Sequence, residues 1–366
     1  MSAVDLALEL VRLDTVNPPG NEARVADLLQ HRLAAAGFGV ARHEHAPGRP
    51  NLIARLAGDD PDRPVLCMTG HTDTVPLGGA PWSVEPFGEL RDGRLHGRGA
   101  TDMKGGVAAI VVAAERLAAS GRREAGLELV LTAAEETGCE GARFLAGAGV
   151  LGRAGAVLVA EPTGGIPHVG HKGVLFARAT TEGVGAHGSA PQLGRNAIYP
   201  LARAVARFAE LRFDVPEHPV LGAPTLNVGT IRGGTGINLV PDRAEAQIDV
   251  RTVPGLGGEA VLTALRAAAG SDVHVEPWID LAPVVSDPSD PWVRTVLDLA
   301  GAGEPLGVAY FTDAAALTPA YGNPPTVIWG PGEAAQAHQT DEWAEAAKID
   351  AAADAYFEIA RAWCQR

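Results

Sequence analysis

Leu127-Glu128-Leu129-Val130-Leu131-Thr132-Ala133-Ala134-Glu135-Glu136-Thr137-Gly138 is an apolar run that ends on two adjacent acids and a glycine. Leu127 to Thr132 reads as a buried strand that delivers Glu135 and Glu136 to its carboxyl end. The arrangement recurs on both sides. Pro64 to Met68 is a strand running into Gly70-His71-Thr72-Asp73-Thr74-Val75-Pro76, and Ala156 to Val159 runs into Ala160-Glu161-Pro162-Thr163. Asn51 to Leu56 is a further strand. Ala23 to Ala36 has helical spacing and stops at Gly37. Gly97-Arg98-Gly99-Ala100-Thr101-Asp102-Met103-Lys104-Gly105-Gly106 opens a helix, Lys104 to Ser120. Polar residues that repeatedly follow strands predict an α/β sheet with its site at the strand C-termini.

Beyond Gly170 the pattern changes. Strands are expected at Val174 to Glu182, Thr225 to Arg232, Ala244 to Thr252 and Asp272 to Trp278, with helices at Ala197 to Leu211 and Gly258 to Ala269. That order, βαββαβ, is the ferredoxin-like module. A Pro/Asp/Ser stretch, Ala282 to Pro291, leads back to α/β-like sequence and to Gln336-Ala337-His338-Gln339-Thr340-Asp341-Glu342. The expected organisation is therefore a catalytic domain of residues 1–169 and 282–366 and an inserted lid of 170–281. A loop insertion is the alternative, but His338 lies beyond the insertion and must return to the first half.

Composition narrows the function. A chain of 366 residues exceeds the size at which one core keeps growing. Acidic residues outnumber basic ones 44 to 30, for a formal charge of -14, which argues against nucleic acid or an anionic membrane surface as partner. The longest apolar run, Val107 to Ala114, is far shorter than the ~20 residues a bilayer needs. Cys67, Cys139 and Cys364 are unpatterned, which fits a reducing cytoplasm, and Met1-Ser2-Ala3-Val4-Asp5-Leu6 does not have the form of a signal peptide.

The five motif segments carry the residue types that bind two zinc ions, His nitrogen and carboxylate oxygen. His71 and Glu161 are assigned to one metal, Glu136 and His338 to the other, with Asp102 bridging; the spacing alone leaves the His–Glu pairing open. Two divalent cations against three carboxylates leave one positive charge for a bridging hydroxide. Asp73, two residues from His71, suits a carboxylate that accepts the imidazole N–H; a turn or capping Asp is the alternative. Glu135, next to a ligand, suits a general base. His187, in Gly183-Val184-Gly185-Ala186-His187-Gly188-Ser189-Ala190-Pro191, could stabilise an oxyanion or be a solvated loop residue. Arg251, ending a strand, suits capture of a substrate carboxylate, with a structural ion pair as competitor. Asn238 follows the glycine-rich Gly233-Gly234-Thr235-Gly236.

Together these motifs resemble the dinuclear zinc aminoacylase family that includes acetylornithine deacetylase, succinyl-diaminopimelate desuccinylase and the glutamate carboxypeptidases. The resemblance covers nearly the whole chain. It implies an α/β zinc-peptidase-like catalytic domain with a mixed sheet and an inserted ferredoxin-like lid that dimerises. By similarity His71, Asp102, Glu136, Glu161 and His338 match metal ligands, and Asp73 and Glu135 the catalytic pair. His187, Asn238 and Arg251 match lid positions that hold substrate, the His reaching the partner subunit's site. A cis peptide after the bridging acid would fall at Asp102-Met103. Gly330-Pro331-Gly332 with Gln336-Ala337-His338 is similar to the acetylornithine deacetylase branch, whereas Ala309-Tyr310-Phe311-Thr312-Asp313 departs from the Gly-Gly-Thr-Ser-Asp type segment of relatives.

The expected activity is hydrolysis of the amide bond of N-acyl amino acids by a metal-bridging hydroxide, with Glu135 as general base. A dipeptidase or carboxypeptidase using the same site is the alternative. A non-catalytic binding protein would have lost a ligand or Glu135, and none is lost. Zinc is the expected metal; cobalt or manganese suits the same donors.

Overall fold

The computed structural model describes residues 2–365. It divides into two compact units, Met1–Gly170 with Val285–Leu306 and Thr312–Arg366, and His171–Val284 with Gly307–Phe311.

The first unit is built on a six-stranded mixed sheet. Its strands are β1 (Gly39–Ala46), β2 (Arg49–Leu56), β3 (Val65–His71), β4 (Leu127–Thr132), β5 (Ala154–Val159) and β6 (Thr326–Ile328), in the order β1-β2-β4-β3-β5-β6. β4, β3, β5 and β6 run parallel, while β2 is antiparallel to β4 and β1 to β2. Every residue of β4 is buried, as a strand covered on both faces requires. β3 extends three residues past the expected Met68, because the ladder to β4 continues until His71 lies opposite Thr132. Thr69 lies opposite both Val130 and Val159, so β3 and β4 end level at His71 and Thr132 while the parallel β5 stops two residues earlier. Asp73, Glu135, Glu136 and Glu161 therefore leave the same edge of the sheet.

The helix Gly105–Ala119 is apolar almost all round and packs beside the long helix Ala346–Cys364. A Cβ added to Gly106 would overlap the Ala160 carbonyl oxygen, so a side chain there would push this helix off the end of β5. Ala3–Val11, which sequence periodicity did not single out, is a further helix in this unit, closed at its start by a reciprocal Ser2–Asp5 capping box.

The second unit is a four-stranded antiparallel sheet, ordered Thr225–Gly233, Arg243–Thr252, Gly173–Glu182, His274–Leu281. Along Gly173–Glu182 and Arg243–Thr252 burial alternates. Leu175, Ala177, Ala179, Ala246, Ile248 and Val250 face a core shared with Leu201 and Phe208 of the helix Ile198–Glu210, and Leu262 and Leu265 of the helix Gly258–Ala269. Phe176, Arg178, Gln247, Asp249 and Arg251 take the other face. Among the described residues no helix is long and apolar enough to cross a membrane.

Candidate metal centre

The site assembles where β3, β4 and β5 end. His71 is the last residue of β3, and its ring is 1% exposed. Nδ1 lies 3.0 Å from the main-chain oxygen of Asp73 and 3.6 Å from that residue's carboxylate. A carbonyl oxygen only accepts, so Nδ1 carries the hydrogen and Nε2 of the neutral ring presents a lone pair. That lone pair faces Asp102 Oδ1 at 3.1 Å and Glu161 Oε1 at 3.8 Å. Acceptors meeting at such distances need a proton or a cation between them. Burial works against a charged imidazole, yet Glu161, Asp102 and Asp73 outweigh it and hold His71 well above its ordinary pKa.

Asp73 does something the sequence did not suggest. It is fully buried, and its carboxylate accepts from the main-chain N–H of Glu135 at 3.0 Å, that of Glu136 at 3.3 Å and the Asn17 amide at 2.9 Å. With three donors already on its oxygens, the closer partner of the imidazole is the Asp73 carbonyl. The turn into the acid pair needs this support, because Ala134 sits at φ +59, a left-handed conformation disfavoured for a residue with a Cβ.

Asp102 enters from the turn Ala100–Lys104, and the Asp102-Met103 peptide is cis. Its two oxygens face different imidazoles, Oδ1 that of His71 at 3.1 Å and Oδ2 that of His338 at 3.3 Å. His338 stands at φ +63 with half its side chain exposed, and its Nε2 also lies 3.1 Å from Glu136 Oε2. Thus His71 with Glu161 and His338 with Glu136 flank one shared carboxylate. Hydrogen bonds to Asp102 and Glu136 push His338 up to about 10. Burial opposes ionisation of Asp102, but His338 and His71 hold its carboxyl below the usual range.

The other acids go the opposite way. Burial, then the charge of Glu161, raises Glu135 well above an ordinary glutamate; burial and Asp102 do the same for Glu161 and, less strongly, for Glu136. These are acids crowded without enough positive charge. Two triads, His71–Asp102–Glu136 and His71–Glu135–Glu161, each bring donor atoms within 4.8 Å of one another. Buried nitrogen and oxygen donors with a charge deficit fit borderline divalent cations.

Three buried residues around this site carried no assigned role in the sequence. Glu342 accepts from the main-chain N–H groups of Gly99, Thr101 and Asp102. Arg98 pairs with Glu342. Asp313 accepts from Thr132 Oγ1, and burial lifts it to about 6. Asp-Glu at 341–342 reads like any exposed acidic pair, which hid Glu342; only its burial distinguishes it.

The remaining candidates lie in the second unit. A short ladder pairs His187 with Leu239, and the Gly188 N–H donates to the Asn238 carbonyl at 2.7 Å, so His187 and Asn238 share one exposed corner. His187 Nδ1 is 2.7 Å from Ser189 Oγ. Arg251 forms a two-pronged pair with Asp249, at 2.8 and 3.0 Å, and its guanidinium carbon lies 5.5 Å from the Phe311 ring centroid. The ion pair held open by the sequence is therefore present at Arg251.

A model of peptidase family M20/M25/M40 matches residues 67–362. The chain is 34% identical over 352 residues to an acetylornithine deacetylase of Myxococcus xanthus, covering 92% of this chain and 90% of that protein. It is 30% identical over 403 aligned positions to a probable succinyl-diaminopimelate desuccinylase of Staphylococcus epidermidis, covering 99% and 98%. Its fold is similar to that of an M20 family metallo-carboxypeptidase from Sulfolobus solfataricus, with a TM-score of 0.83 at 19% identity and 99% of each chain covered. With the family model spanning most of the chain and sequence relatives matching nearly all of it, the chain belongs to peptidase family M20/M25/M40 and is a hydrolase.

Proposed function

We propose that this hydrolase cleaves the amide bond of N-acyl amino acids and that His71, Asp102, Glu136, Glu161 and His338 hold two divalent cations. The observation that carries the reading is the division of Asp102, one oxygen toward His71 beside Glu161 and the other toward His338 beside Glu136. Zinc is the default for this donor set, with cobalt or manganese as substitutes. When bound, such a pair supplies Lewis acidity to the scissile carbonyl and acidifies a water.

The chain's own groups do the rest. Glu135 lies in the triad with His71 and Glu161 but is spare to the five-ligand set, which leaves it free to take the proton of the attacking water and return it to the departing amine. Asp73 holds the Glu135 main chain through the N–H at 3.0 Å, so the base is aimed by a buried anchor. His187 is assigned to the developing oxyanion, and Asn238 and Arg251 to the carboxylate of the amino acid. For Arg251 this means sharing the guanidinium fork with Asp249 or exchanging one carboxylate for the other.

The second unit is read as an inserted ferredoxin-like lid, residues 170–281, interrupting a catalytic domain of 1–169 and 282–366; its strand and helix order supports this. It is also read as the surface of a homodimer. Ile237 and Leu193 are 105% and 74% exposed, and Tyr199, Ile231 and Leu239 add apolar surface in the same unit. A cytoplasmic location is supported by three buried, unpaired cysteines.

Elemental analysis with a substrate panel tests the reading. Two cations per chain and turnover of N-acetyl or N-succinyl amino acids are expected; exclusive turnover of dipeptides would replace it with the dipeptidase alternative. Sedimentation showing only monomer at assay concentration would remove the dimer.

A further inference from the structure

Arg98 and Glu342 donate no atom to the proposed ligand set, yet both are almost completely buried, at 3% and 0% exposure. The Glu342 carboxylate is filled on both oxygens. Oε1 accepts from the N–H groups of Gly99, Thr101 and Asp102 at 3.1, 2.9 and 3.1 Å, and Oε2 from Arg98 Nη1 at 2.5 Å. Arg98 Nη2 donates to the Pro76 carbonyl at 3.2 Å and lies 3.5 Å from that of His338. The guanidinium carbon stands 5.4 Å from the Trp82 ring centroid.

One ion pair thus touches three of the five motif segments. Pro76 closes the segment of His71 and Asp73, the three N–H groups belong to the turn carrying Asp102, and His338 lies on the loop leading to Glu342. A buried pair is weak evidence of stabilisation, since apolar replacements are often as stable. Its value here is directional. The Asp102 main chain is fixed by Glu342, and the half-exposed His338 has Arg98 beside its carbonyl.

We propose that the Arg98–Glu342 pair is the positioning device that sets Asp102 against His338, and so shapes the second cation locus, formed by Asp102, Glu136 and His338. Removing it leaves His71, Glu161 and Asp102 Oδ1 as the better-held locus, because His71 is anchored by β3 itself. The inference rests on the cation-pair reading of the site.

The test is a Co²⁺ titration followed by calorimetry and visible absorption, with no substrate present. It uses the parent chain, Glu342→Gln, and the double variant Arg98→Met/Glu342→Gln, which leaves no uncompensated buried charge if the single variant fails to fold. The parent should bind two equivalents. In the variants the second equivalent should weaken about 10–100-fold with an altered spectrum while the first keeps its affinity, as for supporting groups at other metal sites. Two equivalents bound by the double variant with parental affinity and spectrum would overturn the positioning role alone. A double variant that does not fold would do the same, making the pair an ordinary stability element. A parent chain that binds no Co²⁺ would instead overturn the cation-pair reading beneath it.

Discussion

Replacing Glu135 with Gln separates chemistry from architecture. The side chain is 5% exposed, and Cys139 Sγ donates to its Oε1 at 3.7 Å, a contact that the amide oxygen of Gln can keep. The main-chain N–H bonded to Asp73 is untouched. Cation content should therefore stay at two per chain. Loss of general-base assistance should lower kcat by roughly 10²–10⁴-fold, about 3–5 kcal/mol of barrier, with little change in KM because Glu135 is no binding group. The metal-free chain should respond in the opposite sense. A carboxyl whose pKa is raised by folding binds its proton more tightly in the folded state, so its contribution to stability is present below its ordinary value of 4.5 and is lost as pH rises through the raised folded value. In chelator, Glu135→Gln should then melt at or above the parent temperature, with a margin that widens toward neutral pH. Steady-state kinetics on an N-acetyl amino acid, metal analysis and melts across pH decide the matter. A fully loaded variant whose kcat falls less than about tenfold would refute the base assignment.

His338→Ala should lose about one cation equivalent with little effect on folding, since half of the ring is exposed; undiminished metal content would remove it from the ligands. Asp73→Ala strands the N–H groups of Glu135 and Glu136 and the Asn17 amide, each loss worth about 1–3 kcal/mol. Urea unfolding should show a clear fall in midpoint at an unchanged slope. Gly106→Ala places a methyl against the Ala160 carbonyl, so both melting temperature and cation uptake should fall as Glu161 is displaced; a parental melt with parental metal content would contradict the close packing.

Much of the site was legible because its ingredients are local. A strand followed at once by His71, Glu135-Glu136 or Glu161 can be read without a partner strand, since burial makes each run apolar and the acids stand out after it. The helices Gly105–Ala119 and Gly258–Ala269 were readable for the same reason, their spacing and terminal residues lying close together in the chain. Asp73 was found, but its main task was not: acceptance from the Glu135 and Glu136 N–H groups depends on how β3 and β4 align. Glu342, Arg98 and Asp313 stayed hidden because an acid or an arginine in sequence looks the same whether solvated or buried. The extent of β3 also escaped reading, since a ladder continues as long as its neighbours do.

Which donors exist, their order, and their placement after strands are readable along the chain, because residue chemistry and short-range periodicity survive in one dimension. Which donor faces which depends on the fold. His338 and Glu136 are 202 residues apart yet within 3.2 Å, and His71 meets Asp102 across 31 residues. The neighbouring parallel ends of β3, β4 and β5 and the buried turn around Glu342 make those meetings, through packing and hydrogen bonds between segments far apart in the chain.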